Sequence, residues 1–274
     1  MFETNVDNLT SHFKHDLGIQ PDDLVFMFSG VWGLGKLSEG METIEKAIDS
    51  TLSKGTLVVP TFSYSWSSGE EYNSKTPCPE MGSFSNYVLD NERYKRTNNP
   101  NFSVSIRENS FNKTLFDDLL NVGNDCFDEN SIFGKIVEYA KSNRAWILLL
   151  GGAFDDVKYR STFIHYAQQK HGVPHRYVKE FVAPDKTRIV TQLVRFLDEQ
   201  EYFNIKGEKP EYFNFPIEED YFQYGEDVDS AGLLLSQNFG YYPSRMVPVH
   251  DVVELYQNKL DQNPLYCIDK SCLK

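Results

Sequence analysis

Two continuous apolar runs, Leu24-Val25-Phe26-Met27-Phe28 and Trp146-Ile147-Leu148-Leu149-Leu150, constrain this chain more than any other feature. Neither alternates apolar with polar residues, so neither suits a sheet that keeps one face in water. Both read as fully buried strands. Each run ends in a glycine-bearing turn, Ser29-Gly30 after the first and Gly151-Gly152 after the second. A helical pattern and another strand follow the first turn, and strand, loop, helix, strand opens an α/β layered fold.

The spacing of Leu9, Phe13 and Leu17, with Gly18 as the stop, predicts a helix over 6–18. Met41, Ile44, Ile48 and Leu52 predict another, ended by Gly55. The segment 56–64, TLVVPTFSY, predicts a strand that Pro60 makes irregular. A helix is expected over 162–170, a strand within 177–182 with an amphipathic helix after it to 198, and a last helix after Asp251. Residues 65–110, punctuated by Gly69, Pro77, Pro79, Gly82 and Pro100, are loop-rich, and so long a loop region carries function or small elements of its own. The acidic, aromatic stretch 204–228 yields no assignment. Its aromatic residues suit an interface, a lid over an acceptor, or core. Without repeats or a linker, residues 1–274 are expected to form a single domain, with segments around 65–110 and 204–245 on the acceptor side.

The chain of 274 residues is 40% hydrophobic, enough for a sizeable core, and its net charge of −13 argues against a nucleic-acid partner. That charge suits a cationic small molecule, although acidic surfaces also serve solubility. Cys78, Cys126, Cys267 and Cys272 form no Cys-x-x-Cys pair, so no structural metal is expected. No apolar run approaches the roughly 20 residues of a membrane helix. The N-terminus has neither the basic start nor the apolar stretch of a signal peptide. A soluble cytoplasmic protein with reduced thiols is the expectation; the oligomeric state stays open.

The loop 29–40, SGVWGLGKLSEG, contains Gly30-x-x-x-x-Gly35-Lys36, one residue short of a P-loop. A P-loop needs a hydroxyl after the Lys to bind the nucleotide's magnesium, and Leu37 stands there. The strand 144–150 lacks the expected terminal Asp; Asp155 and Asp156 come too late. A dinucleotide fingerprint fails as well, since Gly33-x-Gly35 is followed by Gly40. Two readings remain: a row of backbone N–H groups for a pyrophosphate or a narrow extended chain, or a simple glycine-rich connection.

Four further segments, GTLVVPTFS (55–63), TPCPEMGSFS (76–85), RTNNPNFSVS (96–105) and LLLGG…STFIHYAQQ…GVPHR (148–176), follow the loop in this order. With it they resemble the aminoglycoside 3-N-acetyltransferase family, the antibiotic N-acetyltransferases, from about residue 16 to about residue 185. The resemblance implies an α/β fold with a central mixed sheet flanked by helices, and transfer of an acyl group from coenzyme A to the amine of an amino sugar. It implies that Ser29, Gly30, Val31, Trp32 and Gly33 line the pantetheine and pyrophosphate, with Thr61, Phe62 and Ser103 in the same pocket. Tyr64, Arg96, Asn99 and His175 fall where the acceptor would lie.

Acyl transfer to an amine needs a base and a donor to the oxyanion. His165 is the natural base, because imidazole titrates near neutrality. Thr162, one helical turn earlier, could donate to the thioester oxygen or orient the His. The family's Thr-x-x-His motif falls on this pair. No cysteine lies in these motifs, so direct transfer is expected rather than an acyl-enzyme. Two departures stand out. Gln168 replaces the family's Glu three residues after the His, and can orient the ring without adding charge. Arg96-Thr97-Asn98-Asn99-Pro100 lacks the His of the family's Arg-Ser-x-His-Pro pattern, which points to a different acceptor. Arg96, Arg160 and Arg176 would serve an anionic, nucleotide-linked amino sugar, the acceptor that the two departures slightly favour; the acidic surface would serve an aminoglycoside. A coenzyme A-binding protein without turnover is the other class that Gln168 leaves open. His12 and His15 are expected on a surface helix, and His171 and His175 are not expected to share a metal.

Overall fold

A computed structural model of the chain describes residues 1–152, 161–183, 186 and 188–274. The chain opens with β1 (Glu3–Thr4), α1 (Val6–Ser11) and β2 (Leu24–Ser29), followed by β3 (Lys36–Leu37), α2 (Met41–Thr51) and β4 (Thr56–Pro60). Next come α3 (Ser83–Asp90), β5 (Tyr94–Arg96), β6 (Val104–Arg107), α4 (Lys113–Leu120), α5 (Ile132–Ala140) and β7 (Ala145–Leu150). The remainder comprises α6 (Ser161–His171), β8 (Arg176–Val182), β9 (Ile189–Arg195), α7 (Glu199–Lys206), α8 (Phe222–Ser230), β10 (Leu235–Phe239), β11 (Tyr242–Pro248) and α9 (Val249–Gln262).

Seven strands form one mixed sheet in the order β10-β11-β7-β2-β4-β6-β5. The two apolar runs are its centre: β2 pairs in parallel with β7 on one side and β4 on the other. Antiparallel strands extend it at both ends. Although β2 and β7 are apolar throughout, successive side chains go to opposite faces. Leu24, Phe26, Phe28, Ile147 and Leu149 pack with Phe133, Phe163 and Tyr256 of α5, α6 and α9. Val25, Met27, Leu148 and Leu150 pack with Leu9, Ile44, Ile48 and Phe84 of α1, α2 and α3. The result is a mixed sheet between two layers of helix, which explains why its middle strands carry no polar alternation.

Three local expectations need correction. Residues 189–195 form a strand, not a helix, because Ile189, Val190, Thr191, Leu193 and Val194 pair along the whole length of β8. Leu52, not Gly55, caps α2. Gly55 is needed for space: a Cβ there would strike the carbonyl oxygen of Asp23. The first helix becomes a π-turn over His12–Asp16, which turns His12 inward to 1% exposure, stacked on Phe239 with ring centroids 4.4 Å apart. As expected, the loop-rich 65–110 holds small elements of its own, α3, β5 and β6; the unassigned 204–228 contains part of α7 and most of α8.

Within the aromatic stretch, Tyr202 and Phe213 pack into a small third core with Phe196, Ile217 and Ile268, and Tyr224 enters the main one. Tyr212 and Phe222 are exposed. All four cysteines are free and buried. Among the described residues no helix is long and apolar enough to cross a membrane.

Candidate active site

The parallel strands β2 and β7 end side by side, Ser29 opposite Leu150. The carboxyl edge of such strands is where α/β sheets bind ligands. Gly30 N–H donates to the Leu150 carbonyl at 2.8 Å, and the chain then makes a short 3₁₀ turn over Val31–Leu34. The first amides of such a turn have no partner inside it. Trp32, 74% exposed, leans on Tyr241 and Tyr242 of the β10–β11 hairpin and its turn. Ser29 Oγ is buried and has no partner among the described residues. Gly82, from the 76–85 segment, lies against the Ser29 carbonyl oxygen.

The loop glycines have a cause the sequence did not reveal. A Cβ on Gly33 would run into the carbonyl of Gly151, and one on Gly35, at φ +78°, into that of Phe2. A Cβ on Gly240 would meet the Gly33 carbonyl. What lies close to this backbone at Gly33 and Gly35 is the chain itself. The loop contains the short strand β3 and opens onto α2 at Met41, as expected.

Thr61 and Phe62 follow β4 and Ser103 precedes β6, and all three are buried. Thr61 N–H donates to the Ser103 carbonyl at 2.9 Å, and Ser103 Oγ donates back to the Thr61 carbonyl at 2.6 Å. Phe62 packs on Phe28, Phe102 and Phe133. Arg96 is held in the same network. Its guanidinium donates to the carbonyls of Thr61 and Thr76 and to the hydroxyls of Ser63 and Ser103, and stacks on Tyr72. Asn99 is buried, its Oδ1 accepting from Phe102 N–H and Cys126 Sγ. Tyr64 is 39% exposed and joins a row of rings, Tyr64–Phe102–Phe127–His165, with successive centroids 5.7, 4.7 and 5.2 Å apart.

The other side of that row is α6. Thr162, His165 and Gln168 lie three residues apart, on successive turns of one face. Thr162 is 8% exposed. His165 Nδ1 lies 2.8 Å from Gln168 Oε1. The amide of Gln168 cannot be turned round, because its Nε2 faces an oxygen of the Glu219 carboxylate at 2.9 Å and the Tyr256 hydroxyl at 3.0 Å. A carboxylate accepts only, so the amide nitrogen must face it and the amide oxygen must face the imidazole. Nδ1 therefore carries the proton and the lone pair is left on Nε2.

Glu219, its side chain only 4% exposed, sits between α7 and α8 and is the hub. His175 Nε2 approaches it at 3.1 Å, Arg176 donates to both its oxygens, and Arg195 Nε lies 3.9 Å away. Burial alone would push this carboxyl up, but the Arg176 guanidinium and His175 outweigh it and hold it well below the usual carboxylate range. For His165 burial, then the nearby Arg176, depress the imidazole to about 4, with Glu219 and Gln168 opposing. The ring is neutral at physiological pH.

The structure thus joins His165 and Gln168 on α6 to His175 through Glu219, and places Thr162 on the same helix. Arg176 is spent on Glu219, and Arg160 lies outside the described residues. Sequence reasoning missed Glu219 and Tyr256. The only signal was acidity in a stretch with no periodicity, and nothing local ties residue 219 to residue 168. His171 faces Asp261 of α9 at 3.5 Å, away from His175, and the described residues contain no group of three or more candidate metal ligands.

The imidazole of His165, its acceptor nitrogen freed by a fixed amide, stands on the helix that follows β7 in the chain. The sequence profile of the family described as aminoglycoside 3-N-acetyltransferase matches residues 28–261, and the chain belongs to that family. Membership makes it an acyl-CoA-dependent N-acyltransferase, with acyl-CoA as co-substrate. Among solved structures it is similar to aminoglycoside acetyltransferase AAC(3)-IVa in complex with gentamicin (TM-score 0.72, 18% identity, 99% of this chain and 95% of that one). It is also similar to AAC-IIIb in a binary complex with coenzyme A (0.70, 17%, 95% and 97%) and to the YokD protein from Bacillus subtilis (0.68, 20%, 96% and 95%). At these identities the likeness is one of fold. No curated protein matches the chain at a significant level.

Proposed function

We propose that this protein transfers an acetyl group from acetyl-CoA to an amine of an aminoglycoside-like polycationic amino sugar, by direct attack, with His165 as general base. The observation that carries this is the His165–Gln168 bond, which leaves a neutral imidazole with its lone pair on Nε2. The amine nitrogen attacks the thioester carbonyl and its proton passes to Nε2. The tetrahedral intermediate expels the coenzyme A thiolate, which takes that proton back. With Nδ1 occupied by Gln168, the Thr162 hydroxyl is left for the thioester oxygen. The loop Ser29–Gly33 would hold the phosphates and pantetheine through the first amides of its 3₁₀ turn, and Tyr64 would flank the acceptor. Thr61, Phe62, Ser103, Arg96 and Asn99 would shape the pocket from behind.

For the acceptor, the net charge of −13 favours a polycation. So does the internal use of Arg96 and Arg176, which leaves neither for a nucleotide phosphate. The neighbours solved with gentamicin and apramycin point the same way. Binding without turnover loses its motive, since Gln168 keeps the ring oriented. The test is thiol release from acetyl-CoA with a panel of aminoglycosides and aminated nucleotide sugars. Aminoglycosides should turn over, and His165→Ala should lower kcat by about 10²–10⁴-fold. Turnover of nucleotide sugars alone would overturn the acceptor; full activity of the variant would remove His165 as base.

A further inference from the structure

One turn after His165 stands an amide, Gln168, with the buried Glu219 carboxylate directly behind it. We propose that Glu219 acts through Gln168 as a two-member positioning relay on His165, and that its presence is why an amide suits position 168. This rests on the base role of His165 proposed above.

The argument begins with what each partner can accept and donate. The Gln168 side chain has one oxygen and two N–H donors. Glu219 Oε1 and the Tyr256 hydroxyl lie 2.9 and 3.0 Å from its nitrogen. An ionised carboxylate in that place fixes the amide in one orientation, with its oxygen on His165 Nδ1 at 2.8 Å. The Tyr256 hydroxyl is then free to accept. Tautomer choice at the imidazole thereby depends on a carboxylate 51 residues beyond Gln168 in sequence. A free Gln beside a His fixes nothing, because the amide can present either end.

Glu219 keeps its charge because of what surrounds it. Arg176 and His175 face it from β8 and its lead-in, Arg195 from β9, and Tyr221 and Tyr256 from the chain beyond and from α9. A carboxylate at position 168 would stand against it within hydrogen-bonding distance. Two like charges so placed cannot both ionise, and would have to share a proton. Position 168 and residue 219 are thus coupled: an acid at the first would have to share a proton with the second.

Two variants at position 168 test this without breaking the Arg176–Glu219 pair. Gln168→Met removes the acceptor but keeps the volume. Its kcat should fall about tenfold or more with KM for acetyl-CoA within about twofold, and the ¹⁵N spectrum of the His165 ring should lose its Nδ1–H form. Gln168→Glu should show a new ionisation: its activity relative to wild type should fall as pH rises, when the shared proton is lost. Coenzyme A binding and a melting curve confirm that each is folded. Unchanged kcat and tautomer in Gln168→Met, or wild-type activity of Gln168→Glu from pH 6 to 9 with no new ionisation, would overturn the relay. If the wild type releases no thiol with any amine, the acetyl-transfer reading fails. The ring spectra of wild type and Gln168→Met then still decide the relay.

Discussion

Gly33, in the turn after β2, and Gly151, just past the end of β7, meet backbone to backbone: a Cβ on Gly33 would lie 2.0 Å from the Gly151 carbonyl oxygen. The contact ties the loop after β2 to the turn after β7. Tyr241 N–H closes the third side by donating to the Gly33 carbonyl at 2.7 Å. The neighbour is backbone and cannot swing aside. Gly33→Ala should therefore cost about 2 kcal/mol or more and weaken coenzyme A binding. Thermal melts and calorimetric titration with coenzyme A would measure both, and an unchanged melting temperature would contradict the contact.

The base should remain competent far into acid. Burial holds the His165 imidazole at about 4, so its basic form is present above that pH and is lost only as pH falls through it. The pH profile of kcat should show no inflection near the ordinary histidine value of 6.5. An NMR titration of the His165 ring should have its midpoint near 4, and a midpoint of 6 to 7 would refute the burial argument.

Stability should fall in acid through the same physics. His12, His165 and His175 are all depressed below the ordinary 6.5, burial being the largest cause in each. Below pH 6.5 the unfolded chain takes up protons there that the folded chain refuses, so stability declines as pH falls, by up to about 1.4 kcal/mol per unit for each such group. Glu219, held low, adds stability that is present above the unfolded carboxylate range and is lost only at still lower pH. Melting temperatures from pH 8 down to 4.5 should drop most steeply below 6.5; a flat profile would mean that these rings are hydrated.

Removing Arg176 should be more damaging than its place on a β-hairpin suggests. Arg176→Met leaves the Glu219 carboxylate buried without its main counter-charge, a loss of about 3–5 kcal/mol. Denaturant unfolding would read it. A loss under 1 kcal/mol would mean that the pair is exposed to water.

Much of this was legible in the chain. Leu24–Phe28 and Trp146–Leu150 could only be covered strands, because a run without polar alternation has no face for water. The helix 162–170 was readable too, and with it the one-turn spacing that places Thr162, His165 and Gln168 on a common side. These are local properties: a period, a turn, a run. The ordered motifs carried the family.

The tertiary structure decided the rest, because it depends on partners far apart in sequence. Ile189–Arg195 became a strand only because β8 lies beside it. His12 left the surface because Phe239 offers it a ring. Arg96 was spent on carbonyls of Thr61 and Thr76 that nothing near it in sequence announces. Gly33 and Gly35 proved to make room for Gly151 and Phe2. Most of all, the orientation of Gln168 depends on Glu219, which no periodicity connects to α6. A side chain's type, and hence its possible chemistry, is written where it stands, but its protonation and its tautomer are set by whichever charges folding brings within about 3 Å of it.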